Sequence, residues 1–449
     1  MKKTLIVATA LTVSLLPQVG FSADANADLK KRIEKLEEEL NLLQRQQEVI
    51  QEVAKAKDDK SATVELGSSG LAITSPDKNL AIKLKGYGQF DGRWFGNNKA
   101  NAARDDILAR RLRPTLEIVA GQDFSFTLSP DFAGSTTRVF DSFVNYKYSD
   151  KLQFKVGKFK EAISLAQLQS DADTVFIEGG PTLNLVPSRD IGAQVYGELI
   201  PQTLEYQLGV FNGTQSLNNA DNDDDNKKDL VARVFAQPLR SSDIVALQGF
   251  GVGVGGSTGK RAGSTSKSIL PSYRTTGQQT FFSYATNTYA NGTNWRLVPQ
   301  TSYYYNNFGL LGEYAIESQD VTKGASSASL ENKAWSLTAN YIITGENAAY
   351  KGGVKPEKNF SPKDGTWGAF EAVARVGEIS LDKDAFPTFA DLNTSAEKAF
   401  SVGGGVNWYL NTNVKVALDY EQTSFDRGAA AGADRKDEQV VLSRVQFRF

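Results

Sequence analysis

Arginine and lysine recur at alternate positions in several segments of this 449-residue chain, and they are the side chains best suited to bind a ligand. Arg111 and Arg113 are separated by one residue, as are Lys158 and Lys160. The planar guanidinium of arginine donates two parallel hydrogen bonds to an oxyanion, whereas lysine supplies a compact positive charge. These pairs therefore have the chemistry to bind anions.

Other kinds of chemistry are excluded by composition. The chain has no histidine, no cysteine and one methionine. It has no disulfide, no thiol nucleophile and no histidine base or metal ligand. The segment DNDDDNKKD (221–229) resembles a calcium loop but has neither the glycine at its sixth position nor the glutamate at its twelfth. We predict no catalytic residue, no cofactor and no metal site, and therefore not an enzyme.

The N-terminus has the layout of an export signal. A basic start, Met1-Lys2-Lys3, precedes an apolar run over 5–16 and small residues at Ala23 and Ala25. Residues 1–23 are predicted to be a signal peptide with cleavage within 22–25. The alternative, a membrane anchor, requires a longer apolar run.

Residues 24–60 are predicted to form a helical coiled-coil arm. Apolar residues alternate in steps of four and three between about 28 and 57, as in a heptad seam (Leu29, Ile33, Leu36, Leu40, Leu43 and Ile50, with Gln47 at a polar seam position). This stripe needs a partner, either other copies or the next domain if the helix folds back. Residues 61–79 are predicted to be a linker.

From residue 80 to 449 the apolar pattern changes to a period of two. In the last segment, VVLSRVQFRF, Val445 and Phe447 alternate with Arg444 and Gln446. A soluble sheet buries the apolar face, whereas a membrane barrel turns it toward lipid and keeps arginines in water. We predict an all-β fold for this region, a sixteen-stranded transmembrane antiparallel β-barrel, preceded by the short α-helical arm.

The predicted strands alternate in direction, with short turns at one end and longer loops at the other, as in outer-membrane barrels. One long connection, about 346–366, falls at the short-turn end. The strands are expected near 80–95, 105–119, 123–132, 138–148, 152–160, 190–200, 203–213, 229–238, 244–256, 294–305, 309–320, 332–345, 367–380, 398–410, 414–425 and 438–449.

The region from about 80 to 449 resembles the phosphate-selective porin O/P family. Its motifs occur in family order: ARRLRPTLE (109–117), FKVGKFKEAISL (154–165), ANYIITGE (339–346), GVNWYLNTNVKV (405–416) and the terminal VQFRF. The resemblance implies a homotrimer of sixteen-stranded barrels that passes anions, phosphate in the type members. It also implies a narrow zone built from inward-folded loops, which the connections at 161–189, 257–293 and 346–366 fit.

The family lysine at the narrow zone corresponds first to Lys160 and second to Lys158. Where family members commonly have an arginine, this chain has Gly179-Gly180-Pro181. Strict alternation predicts that further arginines face the lumen as a ladder, where side-chain charge discriminates between solutes (Arg93, Arg111, Arg113, Arg233 and Arg375). Inward acids at Asp91, Glu117 and Glu371 are expected to neutralise part of it.

We therefore predict a passive outer-membrane channel of a Gram-negative bacterium, with the arm in the periplasm. Anion selectivity, with a preference for phosphate or polyphosphate, is one hypothesis. The alternatives are a general non-selective diffusion porin of the same fold and a structural envelope anchor whose arm holds peptidoglycan. The expected partners are further copies in a homotrimer, outer-membrane lipid and lipopolysaccharide, and inorganic anions. The formal net charge of −2 gives no argument for nucleic acid.

Overall fold

The structure is a computed structural model that describes residues 23–58, 61–68, 70–96 and 103–449. Most of the predicted signal peptide, residues 1–22, lies outside the described residues. The chain divides into two compact units, residues 1–62 and 63–449.

A single helix, α1 (Ala23–Asp58), occupies the region of the predicted arm. The apolar residues of its heptad seam are exposed, from Ile33 at 48% to Ile50 at 66%. Whether α1 forms a coiled coil stays a prediction. Among the described residues, no helix is both long enough and apolar enough to cross a lipid bilayer.

The predicted barrel is confirmed. An eighteen-stranded antiparallel sheet contains two short strands, β1 (Thr63–Gly67) and β2 (Gly70–Thr74), and sixteen longer strands that close on themselves. Two further short strands, β12 (Ser272–Arg274) and β13 (Thr280–Ser283), form a separate hairpin. The sixteen barrel strands are β3 (Leu80–Phe95), β4 (Asp106–Ala120), β5 (Phe124–Asp131), β6 (Arg138–Ser149), β7 (Leu152–Phe159), β8 (Asp190–Ile200), β9 (Leu204–Phe211), β10 (Asp229–Ala236), β11 (Phe250–Ala262), β14 (Tyr289–Tyr305), β15 (Phe308–Lys323), β16 (Ser326–Ile342), β17 (Ala369–Ser380), β18 (Ala396–Tyr409), β19 (Val414–Arg427) and β20 (Glu438–Arg448).

The barrel closes between its last strand and its first. β20 pairs with β3 from Val440↔Phe95 to Arg448↔Tyr87. Inside this seam, Arg444 donates two hydrogen bonds of 2.7 Å to the carboxylate of Asp91. The final residue, Phe449, exchanges main-chain hydrogen bonds with Gly86.

Part of the predicted linker is regular structure. Strands β1 (Thr63–Gly67) and β2 (Gly70–Thr74) pair with each other, and β2 also pairs with residues 81–84 of β3. The run Gly67-Ser68-Ser69-Gly70 predicted flexible linker, but the segment TVELG before it and GLAIT after it have the composition of short strands. One barrel strand also starts later than expected, because residues 245–247 form a 3₁₀ turn and β11 begins at Phe250.

The two faces of the strands have the predicted polarity. On β20, Val445 and Phe447 are each 51% exposed, whereas Arg444 and Gln446 are at most 3% exposed. The apolar face is therefore the outer wall of the barrel, and the arginines lie within it.

Several connections fold into the barrel. The longest is residues 160–189, hereafter the constriction loop, which contains the short helix α2 (Leu165–Leu168) and a 3₁₀ turn, Pro181–Leu185. The β12–β13 hairpin packs beside it, with Tyr273, Phe281 and Phe282 at most 1% exposed. These loops give the barrel an apolar core, although its wall is polar on the inside.

Candidate functional site

Side chains of the barrel wall hold the main chain of the constriction loop. They donate hydrogen bonds of 2.7–3.0 Å to five of its carbonyl groups: Gln89 to Asp171, Gln446 to Ala172, Lys415 to Thr174, Asn407 to Val175 and Arg375 to Glu178. The amide of Ile177 donates in turn to Asp419, at 2.7 Å. Because β3 and β17–β20 supply these groups, the loop lies flat against that side of the wall.

Glu313 on β15 holds the other end of the loop. Its carboxylate accepts hydrogen bonds from the Ser164 hydroxyl at 2.9 Å, the Ala166 amide at 3.2 Å and the Leu165 amide. The side chain is 5% exposed, so these donors replace the hydrogen bonds that the carboxylate would otherwise accept from water. Close approach is possible because Gly255 faces the loop here, where a Cβ would lie 2.1 Å from the carbonyl oxygen of Ile163.

The long connection at the opposite end of the barrel, residues 343–368, reaches the same helix. The Tyr350 hydroxyl donates to the Leu165 carbonyl at 2.6 Å, and Gln169 donates to the Tyr350 carbonyl at 2.9 Å. The Gly352 amide donates to Asp173 at 3.0 Å. The loops that the resemblance expected to fold inward therefore do so, and two of them meet.

An open space remains on the side of the barrel formed by β3–β9. It is a cavity of about 550 Å³ bounded by these strands and by the constriction loop, hereafter the chamber. Its charged lining comprises five cations and two carboxylates (Lys85, Arg113, Lys155, Lys160, Arg189, Asp141 and Asp171). Counting these side chains as ionised gives 5 − 2 = +3, which favours anions inside it.

The five arginines of the predicted ladder all lie within the barrel, but each has an acidic partner. The ion pairs are Arg93–Glu178 at 3.5 Å, Arg111–Asp171 at 3.6 Å, Arg113–Asp131 at 2.6 Å, Arg233–Glu205 at 2.6 Å and Arg375–Glu421 at 2.5 Å, and Arg113 also pairs with Asp171. Of these five arginines, Arg113 alone lines the chamber. Arg375 also binds the loop carbonyl of Glu178, which is a structural task.

The two predicted lysines have different positions. Lys160 lines the chamber, and its ammonium donates to the Gln169 carbonyl at 2.6 Å. Lys158 shares the strand face of Phe154 and Val156, which are 40% and 60% exposed on the outer wall. It forms an ion pair there with Asp221 of the 212–228 connection, so the structure does not bring it to the chamber.

Burial and charge act on the ionisable groups of the loop. Burial, reinforced by the charge of Arg189, lowers the pKa of Lys160 to about 7. Burial would raise the pKa of Glu178, but Arg110 and Arg111 outweigh it and lower the pKa to about 2. Burial opposes ionisation of Asp171 too, yet Arg111 and Arg113 hold its pKa well below the ordinary value. Both carboxylates are therefore ionised at neutral pH.

Four cations of the site were not among the residues predicted from the sequence: Lys85, Arg110, Lys155 and Arg189. Arg110 lies at a bulge, since Gln89 pairs with Arg111 and Phe90 with Ala109, and it donates to Glu178 at 2.6 and 3.2 Å. Lys155 and Arg189 line the chamber. The signal for Lys155 was the alternation of LQFKVG, which placed it on the face opposite Phe154 and Val156. Arg110 gave no such signal, because strict alternation does not allow for the bulge.

Comparison with known proteins agrees with this geometry. The family model described as phosphate-selective porin O and P matches residues 82–449. Porin O of Pseudomonas aeruginosa is 23% identical over 419 residues, which cover 85% of this chain and 91% of that protein.

Solved structures share the fold. An anion-selective porin from Comamonas acidovorans superposes with a TM-score of 0.53 at 11% identity, covering 82% of this chain and all of that one. The trimer form of OmpT, an outer membrane protein of Vibrio cholerae, superposes with a TM-score of 0.51 at 12% identity, covering 82% and 99% of the two chains.

Proposed function

Because the chain belongs to the phosphate-selective porin O and P family and is thus an outer-membrane porin channel, we propose that it selects anions in the chamber. The observation that carries the proposal is that Lys155 and Lys160 line the chamber and form no ion pair with a carboxylate of the described residues. A channel lowers the free energy of moving an ion out of bulk water, and side-chain charges at a narrow zone decide for which ions this free energy is lowered most.

Phosphate and polyphosphate are the solutes that the family description suggests. An oxyanion entering the chamber meets Arg113 and Arg189, whose guanidinium groups contact Asp171. Exchange of the Asp171 carboxylate for a phosphate oxygen would keep the arginines paired while the solute passes. Gly179 and Gly180, which replace a family arginine, leave this chain with one cation fewer, whereas Arg110 adds a cation beside Glu178.

The test is the reversal potential of the protein in a planar bilayer under a potassium chloride gradient. We expect chloride to be preferred, and we expect Lys155→Glu and Lys160→Glu to lower the chloride-to-potassium permeability ratio at least about threefold each. Lys147→Glu is the matched control, because Lys147 is an exposed residue near the end of β6 that pairs with Asp150 and does not line the chamber. Unchanged selectivity in both chamber variants contradicts the proposal.

The pairing of every predicted arginine with a carboxylate favours the alternative of a general diffusion porin. Phosphate distinguishes the two functions. An anion channel with phosphate affinity shows a chloride current that falls as phosphate is added, whereas a general porin shows a reversal potential near zero and no block.

Assembly is proposed to be homotrimeric, with α1 as a periplasmic coiled coil. Support comes from the trimer form of the OmpT structure and from the exposed seam of α1. Outer-membrane lipid and lipopolysaccharide are the proposed surroundings of the apolar outer wall. Attachment of α1 to peptidoglycan belongs to the anchor alternative. In that case, loss of α1 abolishes attachment to the envelope and leaves the conductance of the barrel unchanged.

A further inference from the structure

Lys155 lies in an aromatic box inside the chamber. Its ammonium nitrogen is 4.8 Å from the ring centre of Phe143, 5.1 Å from that of Phe159 and 4.8 Å from that of Tyr196. Among the residues that the structure describes, no carboxylate forms an ion pair with it and no acceptor takes a hydrogen bond from it. The rings stabilise the cation without neutralising it.

A second cation–ring group adjoins the first, and its members Arg113, Arg189 and Tyr87 line the same chamber. The guanidinium carbon of Arg113 is 3.6 Å from the ring centre of Phe140 and 6.0 Å from that of Tyr87, and the guanidinium carbon of Arg189 is 4.8 Å from that of Phe140. Cations and aromatic rings are thus interleaved along one wall of the channel.

This lining treats different anions differently. The face of an aromatic ring carries partial negative charge and donates no hydrogen bond, so an anion with oxygens on all sides keeps water between itself and the rings. An anion with its charge at one end places that end on an ammonium and its apolar body on the rings. The chamber, at about 550 Å³, also has the volume of a site for an organic molecule.

We propose that the chamber binds organic carboxylates with a planar apolar body, the carboxylate on Lys155 and the body against Phe143 and Tyr196. This inference rests on the proposed anion selectivity and adds a solute class to it. Phe143 and Tyr196 are then residues that determine specificity, beyond the charges that determine selectivity.

Block of chloride current by benzoate and by acetate tests the proposal. Both ions carry one carboxylate, and only benzoate has a ring. With the full chain in a planar bilayer, we expect benzoate to half-block the current at a concentration about tenfold below that of acetate. Equal half-block concentrations overturn the proposal, while a reversal potential that still favours chloride leaves the proposed function standing.

Substitutions locate the effect. Phe143→Leu and Tyr196→Leu remove one ring each and should raise the half-block concentration of benzoate about fivefold while leaving that of acetate unchanged. Tyr196→Phe keeps the ring and should keep the block, which separates ring loss from misfolding. Phe154→Leu is the matched control on the outer face of β7. Benzoate block that survives both leucine substitutions places its site elsewhere and overturns the assignment.

Discussion

Arg113 and Lys155 lie in the same chamber, but their surroundings differ. Arg113 contacts two carboxylates, Asp131 and Asp171, so its charge is largely balanced before any solute arrives. Within the described part of the chain, Lys155 lies against aromatic rings and forms no ion pair with a carboxylate. A count of basic residues therefore overstates the field that a solute meets, and the cations that lack carboxylate partners decide it.

Lys160 is expected to make selectivity depend on pH. Because burial and the charge of Arg189 lower its pKa to about 7, the ammonium is charged below that pH and neutral above it. The chloride-to-potassium permeability ratio should therefore fall as pH rises from 6 to 8, which reversal potentials across that range will measure.

Two variants assign that dependence to this side chain. Lys160→Arg should keep the high ratio at both pH values, and Lys160→Met should give the low ratio at both, since neither side chain titrates there. A slope that is the same in Lys160→Met as in the parent chain refutes the assignment.

The sequence predicted the individual residues of the site unevenly. Alternation placed Arg93, Arg111 and Arg113 inside the barrel, but no pattern in the sequence reveals that Glu178 and Asp171 return to meet them, because those contacts depend on the path of the constriction loop. Arg110 was missed for a local reason: one extra residue in β4 turns it inward.

At the scale of elements, the strands were predictable because their period of two extends over most of the barrel. Irregular segments were not: β1, β2, β12 and β13 are three to five residues long, too short for a period to stand out. The path of the constriction loop depends on hydrogen bonds between its main chain and the wall, and main-chain groups carry no sequence signal.

Glu313 is expected to position the loop and, through it, Lys160. Glu313→Leu removes the acceptor of three hydrogen bonds, a local loss on the order of 3 kcal/mol, and frees the turn whose Gln169 carbonyl binds Lys160. The chain has no cysteine, so Lys160→Cys creates a unique thiol. Its modification rate by an anionic thiosulfonate should rise several-fold, about threefold or more, when Glu313→Leu is added.

Glu331→Leu is the control for that experiment, since Glu331 is an exposed partner of Lys333 on the neighbouring strand. Glu313→Gln keeps one oxygen acceptor and should give an intermediate rate. If Lys160→Cys reacts equally fast with and without Glu313→Leu, Glu313 does not position this part of the loop.

For the whole molecule, the two compact units predict separable roles. Deleting residues 28–57 removes the exposed seam of α1, and we expect the barrel to keep its conductance while the oligomer dissociates at a lower temperature in detergent. Mass measurement during heating in detergent will report the change.

Point substitutions sharpen this test. Leu36→Lys with Leu43→Lys places two positive charges in the seam, whereas Asn41→Lys with Gln44→Lys adds the same charge outside it. Only the first pair should weaken the oligomer if the seam joins copies. Identical dissociation temperatures for both pairs count against the coiled coil.

The pairing of β20 with β3 also decides at which stage of folding the channel can form. Arg444 and Asp91 are 353 positions apart, and the last residue of the chain bonds to Gly86. Such a closure is the most non-local event in the chain, with the largest entropy cost and the slowest expected rate. Lys415 and Gln446, which hold the constriction loop, also belong to the last two strands, so neither the wall nor its narrowest part is complete until the C-terminus has arrived. A product that ends before β20 is an open sheet with two bare edges and not a leaky pore.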